Sequence, residues 1–262
     1  MNLDALSIDC RQKIKEGRGS GRFNNYISWR SLGDLSQRNK GMSYFIPDDK
    51  YGRAVTIFGP HEKFIYYWLW WQSDIIEIRE HMPILDIEEA HQIAKDIGAK
   101  YPYYKGKLDV IDTDFVITKN DGSIHAISAQ ISKDHTTRSS DEDNKNLIEK
   151  EYWSRHGATW EVMYADEINS GFVNNISFIH RYYGRDSVYN DISAFLYLVA
   201  RKYIDIDLNI EFDNLKNITD EYFSKETFKE LRRYVFSGKH TLNPSEKGWI
   251  YDTHNNHYYF VG

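Results

Sequence analysis

The 262-residue sequence is poor in the features that build disulfide frameworks, zinc modules and membrane spans. A single cysteine, Cys10, excludes a disulfide within the chain and a cysteine-rich zinc module, and it is typical of a reducing compartment. The longest aromatic and apolar run, at 64–71, is less than half of the ~20 residues that a membrane-spanning helix needs. Residues 1–16 alternate charged and apolar side chains, so we expect no secretory signal and a cytoplasmic protein without a membrane partner.

The chain also has fewer basic than acidic residues. Lysine and arginine together number 33 against 39 acidic residues, which gives a net charge of -6. A protein that holds nucleic acid by bulk charge is basic, so any DNA contact here must be local or shared with a partner. Aromatic residues are abundant, at 15% of the chain, and 41% of all residues are hydrophobic. The chain therefore folds, and its length predicts about two domains.

Apolar spacing and turn signals predict a mixed α/β fold, in which helices cover a sheet. The predicted helices lie at 3–16, 61–72, 87–97, 147–155, from 166 onwards, at 192–199 and within 221–237. The predicted strands lie at 54–58, 75–79, 114–119, 123–131, 159–164, 249–252 and 257–261. Asn120-Asp121-Gly122 favours a tight turn between two central strands, which would place Asp114 and Gln130 on neighbouring strands.

The polar residues of two segments indicate connections rather than elements. Residues 133–144 lack apolar periodicity and predict a mobile loop. Gly184-Arg185-Asp186-Ser187 is short, polar and turn-prone, so we expect a domain of residues 1–184 and a second domain of residues 185–262. Helices followed by a hairpin suggest that the second domain is a winged-helix-like module.

Three short segments carry side chains suited to phosphodiester hydrolysis. Glu62 begins a predicted helix, Asp114 opens a strand, and Gln130-Ile131-Ser132-Lys133 closes the partner strand. Magnesium prefers oxygen ligands, which carboxylates and a backbone carbonyl supply, and cleavage also needs a cation near the attacking water or the phosphate. The spacing alone is not specific, because an aspartate at the start of a strand is usually a solvated cap.

A longer series of sequence blocks follows one order along the chain. The blocks are Lys15-Glu16-Gly17-Arg18-Gly19, the helix of Glu62, Glu77-Ile78-Arg79-Glu80, Pro83-Ile84-Leu85, Thr113-Asp114-Phe115, Ala129-Gln130-Ile131, Glu149-Lys150-Glu151-Tyr152-Trp153 and Asp166-Glu167-Ile168-Asn169. Over residues 14–179 this series resembles the TnsA endonucleases of TnsABC-type transposons, the Tn-seven class. No single block is specific, but the ordered set is.

The resemblance implies a fold and an activity. It implies a restriction-endonuclease-like core that depends on Mg²⁺, with Mn²⁺ able to substitute, and cuts the 5' ends of transposon DNA. The implied partners are a TnsB-like DDE transposase, a TnsC-like AAA+ ATPase that docks on the C-terminal domain, and transposon-end DNA. The family's metal-binding positions fall on Glu62, Asp114 and the strand of Gln130 and Ile131.

One position departs from the family pattern. Family proteins have a lysine where this chain has Ser132, and Lys133 follows it. Side chains alternate along a strand, so Gln130 shares its face with Ser132 and not with Lys133, unless a bulge or the strand end turns Lys133 inward. Without that lysine, we expect metal binding to persist and cleavage to be lost or greatly slowed, and complete loss would make the chain a non-cleaving scaffold subunit. A free-standing restriction or repair nuclease is a third hypothesis.

Four further residues are candidates with two interpretations each. By resemblance Glu149 is a carboxylate at or near the metal site, and otherwise it is an i,i+4 partner of a helix cation. Arg18, Arg22 and Arg30 belong to a glycine-rich, locally basic segment that either contacts DNA phosphates or is a solvated connector.

Overall fold

A computed structural model describes residues 5–34, 42–133, 140–184, 188, 190–209, 229–230, 232–233, 248–252 and 257–261. The chain divides into two compact units, Met1–Ile168 and Asn169–Gly262. The domain boundary predicted after residue 184 remains a prediction. Among the described residues, no helix combines the length and the apolarity that crossing a bilayer requires.

The first unit contains eight of the described strands and four of the helices. The strands are β1 (Ser43–Asp48), β2 (Arg53–Phe58), β3 (Ile75–Pro83), β4 (Tyr103–Tyr104), β5 (Lys107–Leu108), β6 (Asp112–Lys119), β7 (Ile124–Gln130) and β8 (Thr159–Tyr164). The helices are α1 (Ile8–Lys15), α2 (Pro60–Trp71), α3 (Ile87–Asp96) and α4 (Ser140–Arg155). The mixed α/β class predicted from the sequence is confirmed.

A four-stranded sheet in the order β3-β6-β7-β8 forms the centre of this unit. The pairs β3–β6 and β6–β7 are antiparallel, and β8 joins β7 in parallel. Strand β6 is buried along all but its last residue, as a central strand should be. The tight turn is confirmed, with Gly122 in the left-handed region at φ +85° and its N–H donating to the Lys119 carbonyl at 3.0 Å.

Aromatic residues of α2 pack into the interior. Tyr66, Tyr67 and Trp70 are buried, and the Tyr66 ring centroid lies 6.5 Å from that of Phe115 on β6. A second core cluster joins α1, α3 and α4, with Cys10, Ile93 and Ile148 fully enclosed. The lone cysteine is therefore a packing residue, and burial raises the pKa of its thiol.

Two sequence predictions about helix boundaries were wrong. The loop predicted at 133–144 ends early, because α4 begins at Ser140 with Asp141, Glu142 and Asp143 in its first turn, where carboxylates favour a helix N-terminus. The helix predicted from Asp166 starts instead at Ser170, after a 3₁₀ turn, because Asn169 caps it by accepting the Phe172 N–H at 3.1 Å. Residues 134–139 lie outside the described part.

The second unit contains α5 (Ser170–His180), α6 (Asp191–Ala200), β9 (Gly248–Asp252) and β10 (His257–Val261). Asn190 and Ser193 form a capping box at the start of α6, and Asn175 of α5 donates to the Leu208 carbonyl at 2.8 Å. Strands β9 and β10 pair antiparallel, as the predicted hairpin requires. Most of the helical region predicted within 221–237 lies outside the described residues.

Candidate metal centre

Three buried side chains from three elements converge in the first unit. Glu62 of α2, His81 of β3 and Asp114 of β6 each offer a ligand atom, and these atoms all lie within 4.8 Å of one another. The sequence had singled out Glu62 and Asp114, and the structure brings them together. His81 was missed, because a histidine in a strand carries no local signal of its role.

The sharp start of α2 fixes the position of Glu62 in the first turn of that helix. Gly59 takes φ +106° and Pro60 occupies the first helical position, so the turn begins sharply after β2. The Phe58 N–H donates to Glu62 Oε2 at 2.9 Å. Burial raises the pKa of Glu62 to about 7, although the neighbouring His81 opposes that rise.

Asp114 links the two central strands through its side chain. Its Oδ2 accepts the Ala129 N–H of β7 at 2.8 Å, and its Oδ1 lies 3.7 Å from Lys145 Nζ. Gln130, at the end of β7, is only 5% exposed, and neither polar atom of its side chain has a hydrogen-bond partner among the described residues. A buried amide without partners is the kind of group that a ligand satisfies.

His81 occupies an unusual backbone position inside the sheet. Its φ is +48°, in the left-handed region that costs a non-glycine residue about 1–3 kcal/mol. The side chain is fully buried, with Nε2 3.4 Å from Glu62 Oε2 and Nδ1 3.5 Å from Asp112 Oδ2. Burial lowers its pKa, but these two carboxylates outweigh that effect and the net shift is upward. Strained residues of this kind concentrate at functional sites.

Arg30 neutralises the second aspartate of β6. Its Nε lies 2.6 Å from Asp112 Oδ2 and its Nη2 lies 2.8 Å from Asp112 Oδ1, a bidentate pair. Burial alone would raise the pKa of Asp112, but the Arg30 guanidinium and His81 hold it well below its usual range. Asp112 therefore remains a carboxylate beside the cluster.

Glu149 of α4 lies at the edge of the same cluster. It is fully buried, its Oε2 accepts the Trp160 indole N–H at 3.1 Å, and its Oε1 lies 3.3 Å from Lys145 Nζ. Burial raises the pKa of Glu149 to about 7. The structure therefore shows the i,i+4 helix pair, and Lys145 also connects Glu149 to Asp114.

The segment after β7 directs Lys133 toward β8. Strand β7 ends at Gln130, and the carbonyl of Ile131 accepts the Asp166 N–H at 3.1 Å. Lys133 is 66% exposed, forms an ion pair with Glu167, and lies 5.5 Å from the Tyr164 ring centroid. Its described contacts thus include none of the clustered carboxylates.

Comparison with known proteins identifies a protein of similar sequence. No protein-family model matches the chain. Over 179 residues, 68% of the chain, it is 29% identical to the transposition protein TnsA of transposon Tn7 from Escherichia coli. The chain is therefore similar to TnsA over about two thirds of its own length. It spans 64% of the length of that relative, which is less than two thirds.

The TnsA-like chain offers a donor set that fits a divalent cation. Glu62 and Asp114 present carboxylate oxygens, Gln130 presents a buried amide without a partner among the described residues, and His81 presents a ring nitrogen. Carboxylate and amide oxygens suit Mg²⁺, and an imidazole nitrogen added to them also suits Mn²⁺.

The arginines expected to contact DNA pair with carboxylates in the TnsA-like chain. Arg18 Nη1 lies 2.7 Å from Asp34 Oδ2, and Arg22 Nη2 lies 2.7 Å from Glu77 Oε2. With Arg30 bound to Asp112, each of these guanidinium groups has an acidic partner on the protein. Their role in DNA binding remains a prediction.

Proposed function

We propose that this chain is the metal-dependent endonuclease subunit of a heteromeric transposase, and that it cuts the 5' ends of a transposon. The observation that carries the proposal is the convergence of Glu62 and Asp114, in a chain similar to TnsA of Tn7. A TnsB-like DDE transposase and a TnsC-like AAA+ ATPase are the proposed partners, with transposon-end DNA as the substrate.

The proposed reaction is hydrolysis of one phosphodiester bond. The oxygen of a water molecule bonds to phosphorus as the bond from phosphorus to the leaving sugar oxygen breaks; the water loses a proton and the leaving oxygen gains one. Mg²⁺ or Mn²⁺ would act as a Lewis acid on the phosphate and lower the pKa of the attacking water. Glu62, His81, Asp114 and Gln130 would hold the ion, and the Ala129 N–H fixes the orientation of Asp114.

The acidic character of the chain supports a shared mode of DNA binding. With a net charge of -6 and its basic N-terminal arginines already paired, the subunit would bind DNA weakly alone. We therefore propose that the TnsB-like partner recognises the transposon ends. The second domain would be winged-helix-like and would dock the TnsC-like ATPase, in a cytoplasmic complex.

The test combines cleavage with metal binding. The chain, its cognate TnsB-like and TnsC-like proteins and end-containing DNA are incubated with Mg²⁺ or Mn²⁺, and strand-resolved gels score nicks at the 5' ends. We expect Asp114→Ala to abolish both nicking and Mn²⁺ binding in calorimetric titration, because it removes a central ligand. Undiminished nicking by Asp114→Ala would refute the proposal.

A second candidate function is a non-cleaving scaffold. Ser132 in place of the family lysine, together with the pairing of Lys133 with Glu167, favours it. The scaffold hypothesis predicts that the chain binds metal and completes the transposase complex, yet leaves the 5' ends intact. A free-standing nuclease would instead cut plain duplex DNA without partners, a mode that the acidic net charge disfavours.

A further inference from the structure

The proposed cleavage reaction requires a cation that the strand does not supply. Negative charge builds up on the phosphate in the transition state, and a positioned positive group stabilises it. Serine at position 132 carries no charge, and Lys133 pairs with Glu167 on the exposed surface. Arg30 is committed to both oxygens of Asp112.

A lysine reaches the carboxylates from the helix that covers the sheet. Lys145 Nζ lies 3.3 Å from Glu149 Oε1 and 3.7 Å from Asp114 Oδ1, and the side chain is only 25% exposed. Of the lysines and arginines that the structure describes, only Lys145 forms an ion pair with Asp114. Burial lowers the pKa of Lys145, but the neighbouring carboxylates Asp114 and Glu149 outweigh that effect, and the net shift is upward.

Helix α4 is fixed to the sheet on the face that carries Lys145. Ser128 Oγ of β7 donates to Asn146 Oδ1 at 3.1 Å, in the residue next to Lys145. One and two turns later, Glu149 accepts from Trp160 and the Trp153 indole N–H donates to Thr113 Oγ1 at 2.9 Å. These bonds hold the helix in one rotation, so the position of Lys145 is built into the packing.

We propose that Lys145 is the catalytic cation of this site, and that the charge usually provided from the strand is provided here from α4. The proposal rests on the proposed nuclease function. A phosphate oxygen or an attacking water held next to Asp114 would lie within hydrogen-bonding reach of the Lys145 ammonium, whose flexible four-carbon stem allows the small adjustment.

The experiment compares two lysines of the same helix. Lys145→Ala is compared with Lys150→Ala, an exposed position on α4, in the complete system of partner proteins and end DNA. We expect Lys145→Ala to slow nicking by about 100-fold or more at saturating Mn²⁺, as loss of a transition-state donor does. Lys150→Ala should nick within about twofold of the unsubstituted chain.

A binding measurement separates a catalytic lysine from a structural one. Removing a cation beside the metal ligands should leave Mn²⁺ affinity equal or tighter in Lys145→Ala, because the ammonium repels the ion. Thermal unfolding of the same variant shows whether it is folded. A structural role would instead weaken Mn²⁺ binding together with nicking, and that result would overturn the proposal.

The remaining outcomes are also distinct. Nicking by Lys145→Ala within about threefold of the unsubstituted chain overturns the assignment of Lys145 and leaves the nuclease function intact. Loss of nicking in Lys133→Ala with full activity in Lys145→Ala also overturns the assignment of Lys145 and leaves the nuclease function intact. The catalytic charge would then be assigned to Lys133. Absence of nicking by the unsubstituted chain with both metals refutes the nuclease function, and the assignment with it.

Discussion

Glu77 of β3 is a buried carboxylate whose charge is balanced by the N-terminal segment. Its Oε2 accepts from Arg22 Nε at 3.0 Å and Nη2 at 2.7 Å, and its Oε1 accepts the Phe23 N–H at 2.7 Å. Burial raises its pKa, but these bonds outweigh that effect and the pKa is lowered from 4.5. The ionised form therefore stabilises the fold at neutral pH.

A pH-dependent difference in stability follows for Glu77→Gln. Because the pKa is lower in the folded chain, the stabilisation is fully present above 4.5 and is lost as the pH falls through the folded value. At pH 7 we expect the variant to lose about 2 kcal/mol of unfolding free energy, the scale of a charged hydrogen bond. Urea unfolding from pH 7 to pH 3 measures it, and a pH-independent difference would contradict the assignment.

His81 bears on which metal the site prefers. Asparagine tolerates the left-handed backbone of position 81 and replaces the ring nitrogen with an amide oxygen, so His81→Asn is the conservative change. We expect Mn²⁺ affinity to fall about tenfold and Mg²⁺ affinity to fall less, because nitrogen ligands favour the transition metal. Calorimetric titration with both ions checks this. Equal losses for the two ions would exclude His81 as a ligand.

A buried ion pair connects the β1–β2 hairpin to the central sheet. Arg53 Nη1 and Nη2 donate to the two Glu80 oxygens at 2.8 and 2.6 Å, and both side chains are nearly inaccessible. Arg53→Met leaves Glu80 charged and buried, so we expect a loss of about 3–5 kcal/mol in unfolding free energy. Denaturant unfolding measures the loss.

Two comparisons make this measurement specific. The double variant Arg53→Met, Glu80→Met should recover part of the stability, because it removes the uncompensated charge as well. Arg155→Ala, which breaks the exposed ion pairs of Arg155 with Glu151 and Asp96, should destabilise the chain far less, because exposed ion pairs contribute little to stability. A similar loss in the Arg53 and Arg155 variants would show that burial of the pair does not matter.

The elements that the sequence predicted are those with local signals. The β6–β7 hairpin has an Asp-Gly turn, and α2 is preceded by Gly59 and begins with Pro60. Both elements, and the positions of Glu62 and Asp114 within them, therefore follow from short-range chemistry. The start of α4 was missed because its first turns are polar and lack apolar periodicity.

The residues that the sequence did not predict depend on long-range packing. His81 lies opposite Asp114 only because the β3–β6 register aligns Glu80 with Phe115 and Met82 with Thr113. Lys145 reaches Asp114 only because Asn146 and Trp153 fix the rotation of α4 on the sheet. Neither register nor helix rotation leaves a signal in a single sequence.

At the scale of the whole molecule, the two compact units predict where the chain can be divided. Val173, Ile176 and Ile179 of α5 are buried in the unit that also contains α6. A chain ending at residue 168 should therefore be monomeric, whereas one ending at residue 184 exposes these residues and should self-associate. Light scattering with size-exclusion chromatography measures both. The opposite result would favour the boundary predicted after residue 184.

The pairing of charges around the candidate metal centre has a consequence for the control of activity. Asp112 faces Arg30, Asp114 and Glu149 face Lys145, and Glu62 faces His81. Each of these carboxylates lies beside a basic side chain, with Lys145 shared by two of them, so we expect the fold to need no divalent ion to hold these acids together. A chelator should stop nicking while leaving the midpoint of thermal unfolding in place. On the proposed function, the chain would fold and join its partners in an inactive form, and binding of a divalent ion would be the last step that activates it.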